Sequence, residues 1–238
     1  MPYNILLADD DREFREEFSD LLEDYHVVQA GTGEEALEIL RRPNMIDIVI
    51  LDERMPGASG TDILPEIKRM NPDLAVIIMT GYSSKETAIS ALRGDADDYV
   101  EKPIDIDKTE RLIKDLILAK GKTEEYYPDT VEGKIELVKS FLGRNYHKTI
   151  SLKDVAELVC LSPKYLSRLF KEKTGCGFSE YRLRIKVDKA KELLLSTGGT
   201  IDQISYDLGY RNMESFIRIF KKFTGMTPTE FRESEGDS

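Results

Sequence analysis

Tryptophan is absent from the 238-residue chain, and cysteine and histidine occur only twice each. The two cysteines, Cys160 and Cys176, are too few for a disulfide framework and lack the spacing of metal ligands. Long apolar runs are missing as well, because even the run at residues 46–51 is interrupted by Asp47. These shortages exclude disulfide-rich, zinc-stabilised and membrane-spanning proteins.

The chain also lacks the basic and apolar opening of a secretory signal, because residues 1–8 lead directly into a run of acidic residues. We therefore expect a cytoplasmic protein that has no membrane partner. The length is about one and a half times that of a typical domain, which favours two domains that each bury a core of their own.

The net charge of −11 argues at first against a nucleic-acid partner, but this charge is unevenly distributed. Residues 1–120 carry 14 basic and 27 acidic side chains, a net charge of −13. Residues 139–232 carry 18 basic and 10 acidic side chains, an excess of +8. The asymmetry predicts an acidic domain joined to one that contacts the phosphates of DNA or RNA. A basic face that is merely solvated is the alternative.

The first half alternates short apolar segments with stretches of helical spacing. Continuous apolar runs of this length suit strands that are covered on both faces, and the alternation predicts a parallel sheet. We therefore expect a doubly wound α/β domain over residues 1–120, with ligands bound at the carboxyl ends of the strands. The five predicted strands are residues 5–8, 27–30, 46–51, 74–79 and 98–101.

Polar residues follow four of these strands directly: Asp9 and Asp10, then Asp52, then Thr80, and finally Lys102. Carboxylates that lie this close repel each other unless a cation offsets their charge, and hard oxygen ligands suit Mg²⁺. Asp52 is then a candidate nucleophile that forms an aspartyl phosphate. Lys102 and Thr80 are candidates for contacting the transferring group.

Simpler roles are open for each of these residues taken singly. Asp11, which continues the acidic run, could cap a helix, and Asp52 alone could be a loop residue. Thr80 could begin a helix, and Lys102 could be a solvated surface charge. Their joint position at one predicted edge of the sheet favours a common site.

Residues 3–119 resemble the receiver domain of response regulators. The resemblance is carried by the acidic pair Asp9-Asp10, the segment from Leu51 to Gly57 around Asp52, the pair Thr80-Gly81, and Lys102-Pro103. It implies a flavodoxin-like fold and the transfer of a phosphoryl group from a sensor histidine kinase to Asp52.

The same resemblance implies further roles for individual residues. Mg²⁺ would be held by Asp9, Asp10, Asp52 and the backbone carbonyl of Arg54. Tyr99 matches the aromatic switch position that turns inward as Thr80 moves toward the phosphoryl group. The peptide bond before Pro103 would be cis. The alternative for Tyr99 is an ordinary half-buried strand residue.

The second half contains an internal repeat, which follows a polar linker predicted at residues 121–130. Residues 168–171 with Thr174-Gly175 match residues 218–221 with Thr224-Gly225 at an offset of 50. Positions upstream of these match at an offset of 49, so the second copy has one residue inserted in the intervening turn. The repeat predicts two helix–turn–helix units within an all-α domain over residues 131–238, bridged by a helix at 181–196.

A helix–turn–helix unit places its second helix in the major groove of DNA. Arg and Asn at exposed positions can read base edges, whereas Lys is better suited to phosphates. A solvated helix face is the alternative for each side chain. The DNA-contact candidates are Lys164, Tyr165, Ser167, Arg168, Lys171, Arg211, Asn212, Ser215, Arg218, Lys221 and Lys222.

Residues 131–235 resemble the DNA-binding domain of the AraC/XylS type. The resemblance is carried by residues 166–171 with Gly175, the segment that begins at Tyr181, residues 209–222 with Gly225, and Thr227-Pro228. It implies two helix–turn–helix units in successive major grooves. The chain departs from the usual pattern at three positions, which are Lys186, Ser215 and Ile217.

Together the halves predict a transcriptional regulator, and no enzyme with an external substrate. Phosphorylation of Asp52 would control DNA binding by pairing two receivers into a homodimer, or by releasing the basic domain from the acidic one. The alternative function is a receiver that serves as a phosphate-independent docking module on a constitutive DNA-binding protein.

Overall fold

The computed structural model describes residues 3–81, 96–120 and 127–235. The chain divides into two compact units, Met1–Tyr126 and Tyr127–Ser238. Six residues of the predicted linker, 121–126, lie outside the described residues, so the domain limits at 120 and 131 stay predictions. No helix within the described ranges is both long and apolar enough to cross a bilayer.

The first unit is built on a parallel five-stranded sheet with the strand order β2-β1-β3-β4-β5, which confirms the predicted fold class. β3 begins two residues later than predicted. The side chain of the preceding residue, Asp47, accepts a hydrogen bond from the backbone amide of Asn4 at 2.8 Å. The strands are β1 (Asn4–Ala8), β2 (His26–Ala30), β3 (Ile48–Asp52), β4 (Ala75–Thr80) and β5 (Asp98–Glu101).

Both faces of this sheet are buried, as the continuous apolar runs predict. Alternate residues of each central strand enter different cores: Leu6 of β1 lies on one face, and Leu7 lies on the other. One face is covered by α2 and α3, and the opposite face by α1 and α4. The helices are α1 (Arg12–Leu21), α2 (Gly33–Arg41), α3 (Gly60–Met70) and α4 (Ile106–Ala119). A further helix predicted around Ala88, Ala91 and Leu92 lies outside the described residues.

Side-chain caps begin the helices that follow the strands. Asp11 caps α1 and accepts a hydrogen bond from the amide of Phe14 at 3.2 Å, so its simpler interpretation as a cap is confirmed. Ser59 and Asp62 form a reciprocal capping box at the start of α3. These caps fix where α1 begins after β1 and where α3 begins after β3.

The second unit is entirely helical, and its described residues form seven helices. Val187, Ala190 and Leu194 of the long central helix pack against Phe216 and Phe220 to form a core. The helices are α5 (Val131–Arg144), α6 (Leu152–Leu158), α7 (Pro163–Thr174), α8 (Phe178–Ser196), α9 (Ile201–Asp207), α10 (Met213–Thr224) and α11 (Pro228–Glu235).

The internal repeat of the sequence is visible in the backbone. The helix pair α6–α7 corresponds to the pair α9–α10, and α7 and α10 begin 50 residues apart and have the same length. Both end at a left-handed glycine, Gly175 with φ 75° and Gly225 with φ 86°. The hydroxyl groups of Thr174 and Thr224 donate to equivalent backbone carbonyls at these two ends.

The repeat extends to a third helix in each copy, which the sequence match between the two copies did not predict. Arg182 of α8 donates to the carbonyl of Ile150, just before α6. Arg232 of α11 donates to the carbonyl of Gly199, just before α9, at 2.7 Å. Each arginine therefore joins the last helix of its copy to the start of the first, and both copies use the same closing contact.

The two copies differ in the turn between their paired helices. Gly209 occupies this turn in the second copy with φ 70°, and Cys160 occupies the equivalent position in the first copy with φ 53°. A β-carbon at Gly209 would lie 1.8 Å from the carbonyl oxygen of His147, whereas Cys160 is exposed. Glycine is thus required for space in one turn, while the other turn carries a strained cysteine backbone.

We predict opposite effects of exchanging residues in these turns. Cys160→Gly relieves the left-handed strain and raises the free energy of unfolding by about 1 kcal/mol. Gly209→Ala introduces a clash with His147 and lowers it by about 2 kcal/mol. Hydrogen exchange of the amides of α7 and α10 in the full chain measures both. A destabilised Cys160→Gly variant would contradict the assignment of strain.

Candidate functional site

Three charged side chains meet at the carboxyl edge of the sheet. The ammonium nitrogen of Lys102, which follows β5, lies 2.6 Å from Oδ2 of Asp9 and 2.6 Å from Oδ1 of Asp52. The carboxylates belong to the ends of β1 and β3, and both residues are buried. These three predicted residues are therefore brought together from positions up to 93 residues apart.

Backbone and aromatic contacts hold this cluster in place. The second oxygen of Asp9 accepts from the amide of Asp11, and the second oxygen of Asp52 accepts from the amide of Arg54, both at 2.9 Å. The ammonium nitrogen of Lys102 lies 4.4 Å from the centre of the Phe14 ring, within the range of a cation–π contact. The peptide bond between Lys102 and Pro103 is cis, as the receiver resemblance implies.

Burial and pairing act in opposite directions on the ionisation of the cluster. Burial raises the pKa of Asp52 above its ordinary value, and the hydrogen bond from Lys102 opposes this only in part. Burial lowers the pKa of Lys102, but its hydrogen bonds to Asp52 and Asp9 outweigh burial and leave that pKa raised. The lysine therefore stays protonated beside a carboxylate whose charge is expensive to bury.

Thr80, at the end of β4, is buried and lies in the same region of the sheet edge. Its hydroxyl group donates a hydrogen bond of 2.6 Å to Oε2 of Glu53, the residue that follows Asp52. Tyr99 is half-buried on β5 and packs against the core that lies under α2 and α3. Thr80 therefore lies at the carboxyl edge of the sheet and Tyr99 against the core under α2 and α3, while their switch roles stay predictions.

The carboxylates of Asp9 and Asp52 converge on one cation, and Mg²⁺ is commonly held by one or two carboxylates with waters and a phosphate. This pair fits such an ion. Asp10 is exposed, and the described residues contain no group of three or more Asp, Glu, His or Cys arranged to hold a metal. The ligand roles predicted for Asp10 and for the Arg54 carbonyl therefore stay predictions.

The first set of DNA-contact candidates lies on α7. The opposite face of this helix carries Leu166, Leu169 and Phe170 into the core, so the candidates project into solvent. The guanidinium carbon of Arg168 lies 5.4 Å from the centre of the Tyr165 ring, which orients both side chains. The exposed candidates of this helix are Lys164, Tyr165, Ser167, Arg168 and Lys171.

The second set lies at the start and along the outer face of α10. Asn212 is the N-cap of this helix, and its side-chain oxygen accepts from the amide of Ser215 at 2.9 Å. Bidentate reading of adenine uses that oxygen together with the NH₂ group, so Asn212 would have to contact a base with its second lone pair while the first holds the cap. Ser215 is half-buried, and the exposed candidates are Arg211, Asn212, Arg218, Lys221 and Lys222.

Two residues at the acidic site were not singled out from the sequence. Glu53, which binds Thr80, stands inside the motif around Asp52, but its contact with a residue 27 positions away has no local signal. Arg15 of α1 donates to the backbone carbonyl of Asp9 at 2.6 Å and supports the turn after β1. Both contacts depend on how strands and helices pack.

Comparison with known families gives two matches. Residues 5–114 match the model of the response regulator receiver domain, and residues 155–234 match a helix-turn-helix domain model. The first range contains the whole cluster of Asp9, Asp52 and Lys102. The second contains both helix pairs of the repeat except for the first residues of α6.

Curated relatives match along nearly the whole chain. An uncharacterized response regulatory protein of Staphylococcus epidermidis is 26% identical over 97% of this chain and 98% of the relative. The transcriptional regulatory protein HptR of Staphylococcus aureus is 24% identical over 96% and 98%. A solved structure, the C-terminal domain of the response regulator AraT of Geobacillus stearothermophilus, is 32% identical over 43% of this chain and 85% of that one, with a TM-score of 0.42.

We predict that Lys102→Met destabilises the first unit by about 2 kcal/mol at pH 7. Breaking a buried ion pair costs about 3–5 kcal/mol, and partial exposure of Lys102 reduces this cost. The pKa of Asp52 then rises further, so the deficit grows as the pH rises through that pKa and shrinks below it.

Urea unfolding of the full chain at about pH 5 and pH 8 measures this pH dependence. Lys108→Met is the matched control, because Lys108 forms only an exposed pair with Asp105 and its loss should cost less than about 0.5 kcal/mol. Equal effects of the two substitutions, or a Lys102→Met deficit that does not vary with pH, would contradict the prediction.

Proposed function

Because the chain belongs to the response-regulator family and joins a receiver domain to a helix-turn-helix domain of the AraC type, we propose that phosphorylation of Asp52 controls its binding to DNA. The two matched domains make the chain a transcriptional regulator controlled by two-component signalling. The observation that carries the proposal is the convergence of Asp9, Asp52 and Lys102 at the sheet edge.

Asp52 is the proposed phosphoacceptor. Its carboxylate attacks phosphorus, a P–O bond forms, and the P–N bond to the histidine of the kinase breaks, leaving the electron pair on that imidazole. Lys102 is already within hydrogen-bond distance of Asp52, so it can contact the phosphoryl oxygens without a large movement. Its positive charge offsets the charge that the group brings to this edge of the sheet.

Mg²⁺ is the proposed cofactor, held by Asp9, Asp10, Asp52 and the backbone carbonyl of Arg54. When bound, the ion supplies positive charge that offsets the negative charge of the phosphoryl group. Asp9 and Asp52 are held for this task by the backbone amides of Asp11 and Arg54, which leave one oxygen of each carboxylate directed at Lys102.

The signal then passes through Thr80 and Tyr99 to the surface formed by the last two strand–helix units. Thr80 turns its hydroxyl toward the phosphoryl group, and Tyr99 fills the space behind it. The predicted surface spans residues 84–120, of which 84–95 lie outside the described residues. Pairing of two receivers or release of the basic domain follows, and the unequal charges of the two halves support either coupling.

The DNA-binding half places α7 and α10 in successive major grooves, about 34 Å apart. The equivalent positions Arg168 and Arg218, and Lys171 and Lys221, are the same in both helices and suit phosphate or guanine contacts. In contrast, Lys164 of α7 is replaced by Glu214 in α10. The two helices therefore offer a similar frame of basic groups with different base-reading side chains.

The second candidate function, a docking receiver that never carries phosphate, makes a different prediction at Asp52. A small phosphodonor with Mg²⁺ should give a hydroxylamine-sensitive adduct on the full chain, and Asp52→Asn should abolish it. Asp115→Asn, which changes an exposed carboxylate of α4, is the matched control and should label normally. Intact-mass spectrometry measures the adduct, and its absence from the unsubstituted protein would favour the docking function.

We predict that Lys171→Ala and Lys221→Ala each weaken binding to DNA of every sequence, because both residues contact phosphates. Each should lower the slope of log affinity against log salt concentration by about 1. Fluorescence anisotropy across a salt series measures this slope. Arg69→Ala, which removes an exposed charge from α3, is the control and should leave the slope unchanged. Loss of affinity for one sequence alone would contradict phosphate contact.

A further inference from the structure

Glu53 is tied to β4 at two neighbouring residues. Its carboxylate accepts a hydrogen bond from the Thr80 hydroxyl group at 2.6 Å, and its backbone amide donates to the carbonyl of Met79 at 2.8 Å. Glu53 directly follows Asp52, whose own oxygens are engaged by Lys102 and Arg54. The acceptor of Thr80 is thus a residue next to the phosphoacceptor, rather than the phosphoacceptor itself.

A threonine hydroxyl group has a single proton to donate. In this structure Thr80 donates that proton in its hydrogen bond to Glu53, and Thr80 is only 3% exposed. The hydroxyl cannot donate at the same time to an oxygen of a phosphoryl group on Asp52. The hydrogen bond to Glu53 must therefore break before Thr80 can make the contact that its switch role requires.

Phosphorylation supplies a reason for the bond to break. A phosphoryl group replaces the single negative charge of the Asp52 carboxylate with a charge of about −1.5 to −2, and this larger charge on the adjacent residue repels the carboxylate of Glu53. Glu53 is half-buried, so its carboxylate has a path to water. The ammonium group of Lys102 already contacts both Asp9 and Asp52.

We propose that Glu53 is a positioning residue that acts through Thr80. It holds the Thr80 hydroxyl in the unphosphorylated protein and releases it when the phosphoryl group repels its carboxylate. This role rests on the proposed function of Asp52 as phosphoacceptor. Glu53 then determines how readily the phosphorylated conformation forms, because that conformation forms only when the hydrogen bond from Thr80 to this charged acceptor breaks.

Beryllofluoride with Mg²⁺ is the probe, since it mimics an aspartyl phosphate without a transfer step. In the full chain, Glu53→Ala should tighten the apparent dissociation constant about tenfold, the size expected for freeing a donor from one charged hydrogen bond. In a Thr80→Ala background the same substitution should change it by less than about twofold, because no hydroxyl remains to be released. Fluorine NMR of the bound probe measures the four constants of this cycle.

A second measurement needs neither beryllofluoride nor Mg²⁺. The ¹³C-methyl resonance of Thr80 should shift in Glu53→Ala, because its hydroxyl loses a fixed acceptor. Glu101→Ala is the matched control: Glu101 is exposed and pairs in register with Thr80 on the neighbouring strand, so it removes the same charge nearby. This control should leave both the resonance and the dissociation constant close to those of the unsubstituted protein.

Three results would overturn the role of Glu53: an unchanged constant in Glu53→Ala, an equal gain in the Thr80→Ala background, or an equal gain in Glu101→Ala. Failure of the proposed function is distinguishable, because it appears as an unsubstituted protein that neither binds beryllofluoride nor labels on Asp52. In that case the methyl resonance still reports whether Glu53 holds Thr80.

Discussion

The receiver depends on one interaction, the contact of the Lys102 ammonium group with two carboxylates. It allows two buried carboxylates, Asp9 and Asp52, to lie within reach of the same nitrogen atom at the sheet edge. Without a cation at this point the two charges would repel in a region where water cannot fully screen them. The same cluster that makes this edge costly to fold is the one proposed to accept a phosphoryl group.

The proposed phosphoacceptor and the proposed switch residue make separate hydrogen bonds in this structure. Asp52 is engaged by Lys102 and by the amide of Arg54, while Thr80 is engaged by Glu53. Asp52 and Thr80 thus already have partners inside the protein, so a phosphoryl group on Asp52 would have to exchange existing bonds for new ones. In the proposed function the added charge supplies the free energy for this rearrangement.

The helical half shows how a duplicated scaffold can carry different surfaces. Both copies end their second helix at a left-handed glycine, and both close on a backbone carbonyl through an arginine, Arg182 or Arg232. These contacts are buried or satisfy backbone groups, so they are the same in both copies. Among the exposed positions, Arg168 and Arg218 are the same in both copies, whereas Lys164 and Glu214 differ.

Much of this protein could be determined from the sequence because its signals are local or periodic. Apolar runs identified the five strands, the offset of 50 identified the helix repeat, and residues at strand ends identified the cluster around Asp52. Only the tertiary structure decided that Thr80 binds Glu53 and that Arg182 closes the first copy. These contacts depend on distances set by packing, and no pattern along the chain encodes them.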